Sequence, residues 1–97
     1  ARLSEVGGVP GREERVRELL AAELEGVVDG LETDTMGNLI AHRGAKKKKA
    51  KRVLVAAHMD EIGFYVRFVD DAGFLRVQPL GGFDARNLFA RQVTVQA

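Results

Sequence analysis

The chain has 97 residues, 45% hydrophobic and 30% charged, a composition that indicates a folded domain and argues against global disorder. It contains no cysteine, which excludes disulfides and thiolate metal sites and favours a cytoplasmic location. The net charge of +1 predicts no general attraction to nucleic acid or to an anionic membrane. No apolar run approaches the roughly 20 residues needed to cross a bilayer, and no secretory signal is recognised.

The first predicted element is an amphipathic helix over residues 12–25, preceded by turn-forming residues at 7–11 (GGVPG) and followed by a stop at Gly30. Its apolar residues recur at helical spacing, at Val16, Leu19, Leu20 and Leu24. Two short strands, residues 31–35 and 39–43, are then expected to pair across a turn at 36–38. Asp34 is interpreted as a structural residue of this turn, buried so that it satisfies backbone donors.

A lysine-rich segment, residues 45–51, is interpreted as a solvated loop, because no aromatic residue is interleaved for base stacking. The continuous apolar run RVLVAA, residues 52–57, predicts a strand buried on both faces, as in an α/β sheet. Residues 64–69 and 74–77 flank the turn 70–73 and predict an antiparallel hairpin. Residues 92–96 (QVTVQ) alternate like one more strand.

The segment that could carry chemistry is HMDE, residues 58–61, directly after the predicted buried strand. In open α/β sheets, ligands gather at the carboxyl ends of strands. His58 and Asp60 are two residues apart, so in extended backbone they point to the same side. Asp60 can then accept a hydrogen bond from one imidazole nitrogen while the other nitrogen coordinates a metal. The same pattern also arises from an ordinary surface hydrogen bond, and spacing alone leaves both interpretations open.

The other candidates carry weaker signals. His42 is interpreted as a solvent-facing strand residue. The hydroxyl residues Ser4, Thr33, Thr35 and Thr94 sit near no base that would activate them. Neither Gly-Gly pair has the spacing of a phosphate loop.

Four motifs, in order, resemble the family of dinuclear-metal metallopeptidases that includes the tetrahedral, deblocking and glutamyl aminopeptidases. They are VPGREE at 9–14, DTMGNLIA at 34–41, AAHMDEIGF at 56–64, and GFL at 73–75 with PLGGFD at 79–84. The resemblance covers essentially the whole chain. Phe83 stands where the family often has tryptophan, and Ala90 where it often has glycine.

The resemblance implies that His58 binds one of two divalent metal ions, zinc or cobalt, and that Asp60 is the catalytic-site carboxylate that orients it. The metals together activate a water that attacks the peptide bond next to a free N-terminus. The other ligands and the general base come from later in the family's chain, so Glu61 is not that base. Peptides are the implied substrates, and homo-oligomers from dimers to dodecamers the implied assemblies.

The fold that the resemblance implies is α/β: residues 1–62 begin the metallopeptidase catalytic domain, and residues 63–97 begin an inserted β-rich dimerisation domain. The chain is therefore expected to be an N-terminal fragment that is inactive alone. One alternative is a non-catalytic chain that associates through the exposed β edge expected after Val95. Another is a carbohydrate hydrolase such as an endoglucanase, which would need two opposed carboxylates.

Overall fold

The computed structural model describes residues 2–96. The chain divides into two compact units, Ala1–Glu61 and Ile62–Ala97. Each unit contains one two-stranded antiparallel sheet, and the α-helix lies in the first. The α/β class predicted from the sequence is confirmed. The assignment of residues 1–62 to a catalytic domain and of residues 63–97 to an inserted dimerisation domain stays a prediction.

Helix α1 spans Glu14–Leu24 and confirms the predicted helix, which was expected at 12–25. It begins two residues later than expected, after the N-cap residue Glu13, which has a φ of −94° and a ψ of 9°. It ends at Leu24 because Glu25 is extended and Gly26 has a φ of 72°, a conformation that suits glycine after a helix. Gly26 therefore ends the helix, and the stop predicted at Gly30 is wrong. Among the described residues, no helix has the length and apolar character needed to cross a membrane.

The packing of α1 centres on Val16, which is 4% exposed and is the only buried hydrophobic side chain within residues 2–96. Gly8 is also buried and lies directly against it. The rest of the predicted apolar stripe, including Leu20 and Leu24, is half-buried. The apolar face of the helix is thus only partly covered by this chain.

Strands β1 (Gly30–Thr33) and β2 (Leu39–His42) pair antiparallel, with Gly30 opposite His42 and Thr33 opposite Leu39. This confirms the predicted pairing. Strand β1 ends at Thr33 because the turn takes up residues 34–38, and β2 begins at residue 39 as predicted but ends at His42, one residue early. Arg17 of α1 reaches this turn, where its Nε donates to the carbonyl oxygen of Gly37 at 2.9 Å.

Asp34 organises the turn as a hydrogen-bond acceptor. Its Oδ1 accepts from the backbone N–H groups of Met36 and Asn38, both at 2.9 Å, and its Oδ2 accepts from the Asn38 side-chain amide at 2.7 Å. The Asn38 side chain, followed by these backbone donors, lowers the pKa of Asp34 below its ordinary value. The structural role is confirmed, but Asp34 is exposed, so the predicted burial is wrong. An aspartate in a β-turn can accept hydrogen bonds from backbone N–H groups of that turn while its side chain stays exposed to water.

The second unit is built on the hairpin of β3 (Gly63–Val69) and β4 (Leu75–Leu80), which confirms the predicted hairpin. Asp70 closes it: Oδ1 accepts from the Ala72 and Phe74 N–H groups, and Oδ2 pairs with Arg76 at 2.9 Å. Phe64 meets Phe83 edge to face, with ring centroids 5.2 Å apart. A short 3₁₀ helix, Ala85–Leu88, follows.

Two predicted strands are absent from the structure. Residues 52–57 and 92–96 have no regular secondary structure. Val53, Leu54 and Val55 are 82%, 91% and 88% exposed, so the predicted burial is wrong for this chain. An apolar run becomes a doubly buried strand only when neighbours cover it on both faces, and no strand within residues 2–96 pairs with this one. The lysine-rich segment 45–51 is exposed, as predicted for a solvated loop.

Candidate metal centre

The structure brings the two predicted site residues together. The Nδ1 atom of His58 lies 2.8 Å from the backbone carbonyl oxygen of Asp60 and 3.2 Å from its carboxylate Oδ1. The two side chains therefore point to the same side, as their spacing predicted, although the segment is not a strand. The His58 side chain is 83% exposed and the Asp60 side chain 38%.

These contacts select one form of the imidazole. Both partners of Nδ1 are oxygen atoms that can only accept, so Nδ1 carries the hydrogen. In the neutral ring, Nε2 then presents a lone pair. In proteins, a metal-binding histidine commonly donates the hydrogen on its other ring nitrogen to a carboxylate or a backbone carbonyl, which orients the ring. The geometry fits His58 as one ligand of a divalent metal.

The backbone that carries this pair is tied to the start of the chain. The N–H of Glu61 donates to the carbonyl oxygen of Gly8 at 2.8 Å. Gly8 in turn packs on Val16 of α1. This hydrogen bond was not predicted. The only feature of the sequence that pointed to it was the Gly-Gly pair ahead of the helix.

A cleft of about 270 Å³ opens beside the pair. Helix α1 contributes Leu20 and Leu24 to its wall. The β1–β2 turn and the first residue of β2 contribute residues 36–39, and the segment that carries His58 and Asp60 contributes residues 57–60. Glu13 also lines it, but its Oε1 accepts from the Gly11 N–H at 2.7 Å. The cleft places an apolar helix face and a polar turn next to His58.

The remaining predicted residues do not join this site. His42 is exposed in β2, as predicted, and its Nε2 lies 3.5 Å from Glu32 Oε1. Within residues 2–96, no group of three or more histidine, cysteine, aspartate or glutamate side chains could hold a metal ion together. A catalytic metal needs at least three protein ligands, so the described residues do not form a complete site by themselves.

Comparison with known sequences decides the family. The sequence profile of the M42 glutamyl aminopeptidases matches residues 37–97, which include His58 and Asp60. The chain belongs to the M42 glutamyl aminopeptidase family. A provisionally named aminopeptidase from Acetivibrio thermocellus is 46% identical over 86 residues, covering 89% of this chain and 25% of that protein.

Solved structures agree with this assignment at the level of the fold. An aminopeptidase from the archaeon Desulfurococcus kamchatkensis superposes with a TM-score of 0.81 at 40% identity, covering 90% of this chain and 24% of the other. A structure described as an endoglucanase from Thermotoga maritima gives a TM-score of 0.77 at 45% identity, covering 88% and 27%. The chain therefore spans about a quarter of the length of the relatives it matches.

Proposed function

We propose that this chain forms the first part of the catalytic domain of a metal-dependent aminopeptidase that removes N-terminal residues from peptides. Membership of the M42 family supports the reaction class. The observation that carries the proposal is the contact of His58 Nδ1 with both oxygen acceptors of Asp60, which leaves Nε2 as the coordinating atom. Zinc or cobalt suits such an imidazole ligand.

Each residue of the pair has a distinct task in this proposal. His58 binds one metal ion through Nε2. Asp60 holds the ring in the required tautomer and makes Nε2 more basic, because a carboxylate on Nδ1 draws the ring hydrogen toward itself. A bound pair of divalent ions would supply an activated water for attack on the peptide carbonyl.

The proposal assigns the other metal ligands and the general base to residues outside this chain. A peptide of residues 1–97 alone is therefore expected to bind no metal tightly and to hydrolyse no aminoacyl substrate. Steady hydrolysis by that peptide, after its metal content has been checked, would show that the described residues are sufficient and would overturn this division.

The test uses the protein as its gene encodes it, stripped of metal and reloaded with Co²⁺ or Zn²⁺. Hydrolysis of aminoacyl p-nitroanilides is expected from the reloaded protein and is expected to fall to background in His58→Ala. His42→Ala is the matched control, because it removes the chain's other histidine from an exposed position on β2. Full activity in His58→Ala would remove the assignment.

The carbohydrate hydrolase alternative is not favoured. The two carboxylates that line the cleft already have partners, Asp60 with His58 and Glu13 with the Gly11 N–H. Glycoside cleavage needs one carboxyl group to donate a proton and another on the opposite side of the bond to act as base or nucleophile. Carboxymethyl cellulose is therefore the substrate expected to remain uncleaved in the same assay.

A non-catalytic role through an exposed β edge also loses its motivation, since residues 92–96 form no strand. Association remains part of the main proposal. The hairpin of the second unit exposes Val66 by 46%, Phe68 by 58% and Phe74 by 67%. Contiguous exposed apolar surface marks association sites, and the exposure of these apolar side chains on one hairpin supports the inserted dimerisation domain and the homo-oligomer. The cytoplasmic location stays a prediction.

A further inference from the structure

We propose that Gly8 and Val16 form a positioning device for the metal-binding segment. Gly8 is a positioning residue that acts through the backbone of Glu61, next to Asp60. The inference rests on the proposed function of His58 and concerns two residues for which the sequence predicted only structural roles, Gly8 in a turn and Val16 in the helix.

The first step is the hydrogen bond from the Glu61 N–H to the Gly8 carbonyl oxygen, at 2.8 Å. The segment around it has no regular secondary structure from residue 50 to residue 62, so it lacks the strand pairing that usually fixes a ligand's backbone. The hydrogen bond from the backbone N–H of Glu61, one residue beyond Asp60, therefore restrains the position of the Asp60 carboxylate relative to His58.

The second step is the contact that fixes Gly8 itself. A Cβ added to Gly8 would lie 2.6 Å from Val16 Cγ2 and 3.7 Å from Val16 Cβ. The first distance is far below van der Waals contact, so the Gly8 backbone sits directly on the Val16 side chain. Val16 is 4% exposed, and its β-branched side chain on a helix is restricted to few rotamers, so it cannot easily turn away from the new group.

The third step links the two contacts. Adding a methyl group at Gly8 must move either its own backbone or Val16. Movement of the Gly8 backbone shifts its carbonyl oxygen and weakens the bond to Glu61. Asp60 is then no longer held in its orientation toward His58. Mutating the group that hydrogen-bonds a metal-binding histidine typically changes metal affinity by about 10–100-fold.

The experiment compares four variants of the protein as its gene encodes it: Gly8→Ala, Val16→Ala, the double variant, and Gly30→Ala. Gly30→Ala is the matched control, since an added Cβ there meets no described atom within 4 Å. Metal affinity is measured by competition between the protein and a chelator for Co²⁺. Hydrogen exchange of the Glu61 amide is measured on the metal-free protein.

Gly8→Ala is expected to weaken Co²⁺ binding measurably, by no more than the roughly tenfold expected from replacing the Asp60 carboxylate itself, and to speed exchange of the Glu61 amide. The double variant is expected to recover both toward the values of Val16→Ala, because removing the Val16 methyl groups makes room for the new Cβ. Gly30→Ala is expected to change neither. A purely structural role for Gly8 would lower the unfolding temperature without moving Co²⁺ affinity.

The outcomes separate this inference from the proposed function. Unchanged Glu61 exchange or unchanged Co²⁺ affinity in Gly8→Ala would overturn the positioning role. Failure of the double variant to recover would overturn the part assigned to Val16. His58→Ala protein that keeps the parent's Co²⁺ stoichiometry would instead overturn the metal site, while the Glu61 exchange rates would still decide whether Gly8 holds the segment.

Discussion

His58 and Asp60 contact each other twice through one imidazole nitrogen. The backbone carbonyl oxygen of Asp60 lies 2.8 Å from Nδ1 and its carboxylate Oδ1 lies 3.2 Å away. Two acceptors on one nitrogen fix the ring orientation even though the His58 side chain is 83% exposed. The site is therefore partly ordered by local contacts within three residues.

Replacing the carboxylate should weaken the site without abolishing it. In Asp60→Asn the backbone carbonyl contact remains, so Co²⁺ affinity is expected to fall about tenfold, the lower end of the usual range for such supports. Chelator competition measures this. Glu61→Gln, which removes the neighbouring exposed carboxylate, is the control and should bind Co²⁺ as the parent does. Equal losses in both variants would point to a general charge effect.

The turn between β1 and β2 should depend on glycine at position 37. Gly37 has a φ of 87°, where a side chain is strained, so Gly37→Ala is expected to lower the free energy of unfolding by about 1–2 kcal/mol. Denaturant titration measures the loss. Gly30→Ala in β1 should be neutral or slightly stabilising, since its φ is not positive. Equal stability of Gly37→Ala and the parent would contradict the assigned turn geometry.

Asp34 should make the first unit sensitive to acid. Its pKa is lowered in the folded state, chiefly by the Asn38 side chain, relative to an unfolded value near 3.8. The stabilisation from the ionised carboxylate is thus fully present above pH 3.8 and is lost as the pH falls through the lower folded value. Asp34→Asn should flatten the fall of the urea midpoint between pH 5 and about pH 2. Asp71→Asn, which removes an exposed carboxylate from the other turn, is the control.

The hairpin of the second unit should depend on Asp70. Its side chain, 20% exposed, accepts from two turn amides and pairs with Arg76. Asp70→Ala is expected to destabilise the hairpin by about 1–3 kcal/mol, from two hydrogen bonds of roughly 0.5–1.5 kcal/mol each. Faster hydrogen exchange at the Ala72 and Phe74 amides would report this. Unchanged exchange in Asp70→Ala, or an equal effect in Asp71→Ala, would contradict the assignment.

Local sequence signals predicted the elements that depend on local contacts. Helix α1, the β1–β2 pairing and the β3–β4 hairpin each contain their own stabilising partners, and the sequence analysis found all three. The spacing of His58 and Asp60 likewise predicted that their side chains would meet. Such features follow from periodicity and turn chemistry, which neighbouring residues determine.

Features that depend on distant partners could not be predicted. The apolar run at residues 52–57 has the composition of a buried strand, but burial requires other elements to cover it. Within residues 2–96 no strand pairs with this run, and Val53, Leu54 and Val55 stay exposed. The Gly8–Glu61 hydrogen bond joins residues 53 positions apart and leaves no periodic trace in the sequence. Gly26, rather than Gly30, ends the helix. Of the two glycines only Gly26 has a positive φ, 72°, and the sequence does not indicate which glycine adopts that conformation.

The most direct test of the metal site is Co²⁺ binding by the protein as its gene encodes it, compared between His58→Ala and His42→Ala. Visible absorption of bound Co²⁺ reports ligand number and geometry independently of turnover. The account predicts that His58→Ala loses a bound Co²⁺ ion and alters the spectrum of whatever remains, while His42→Ala matches the parent in both stoichiometry and spectrum. A His58→Ala protein with the parent's Co²⁺ stoichiometry and spectrum would contradict the assignment of His58 as a metal ligand.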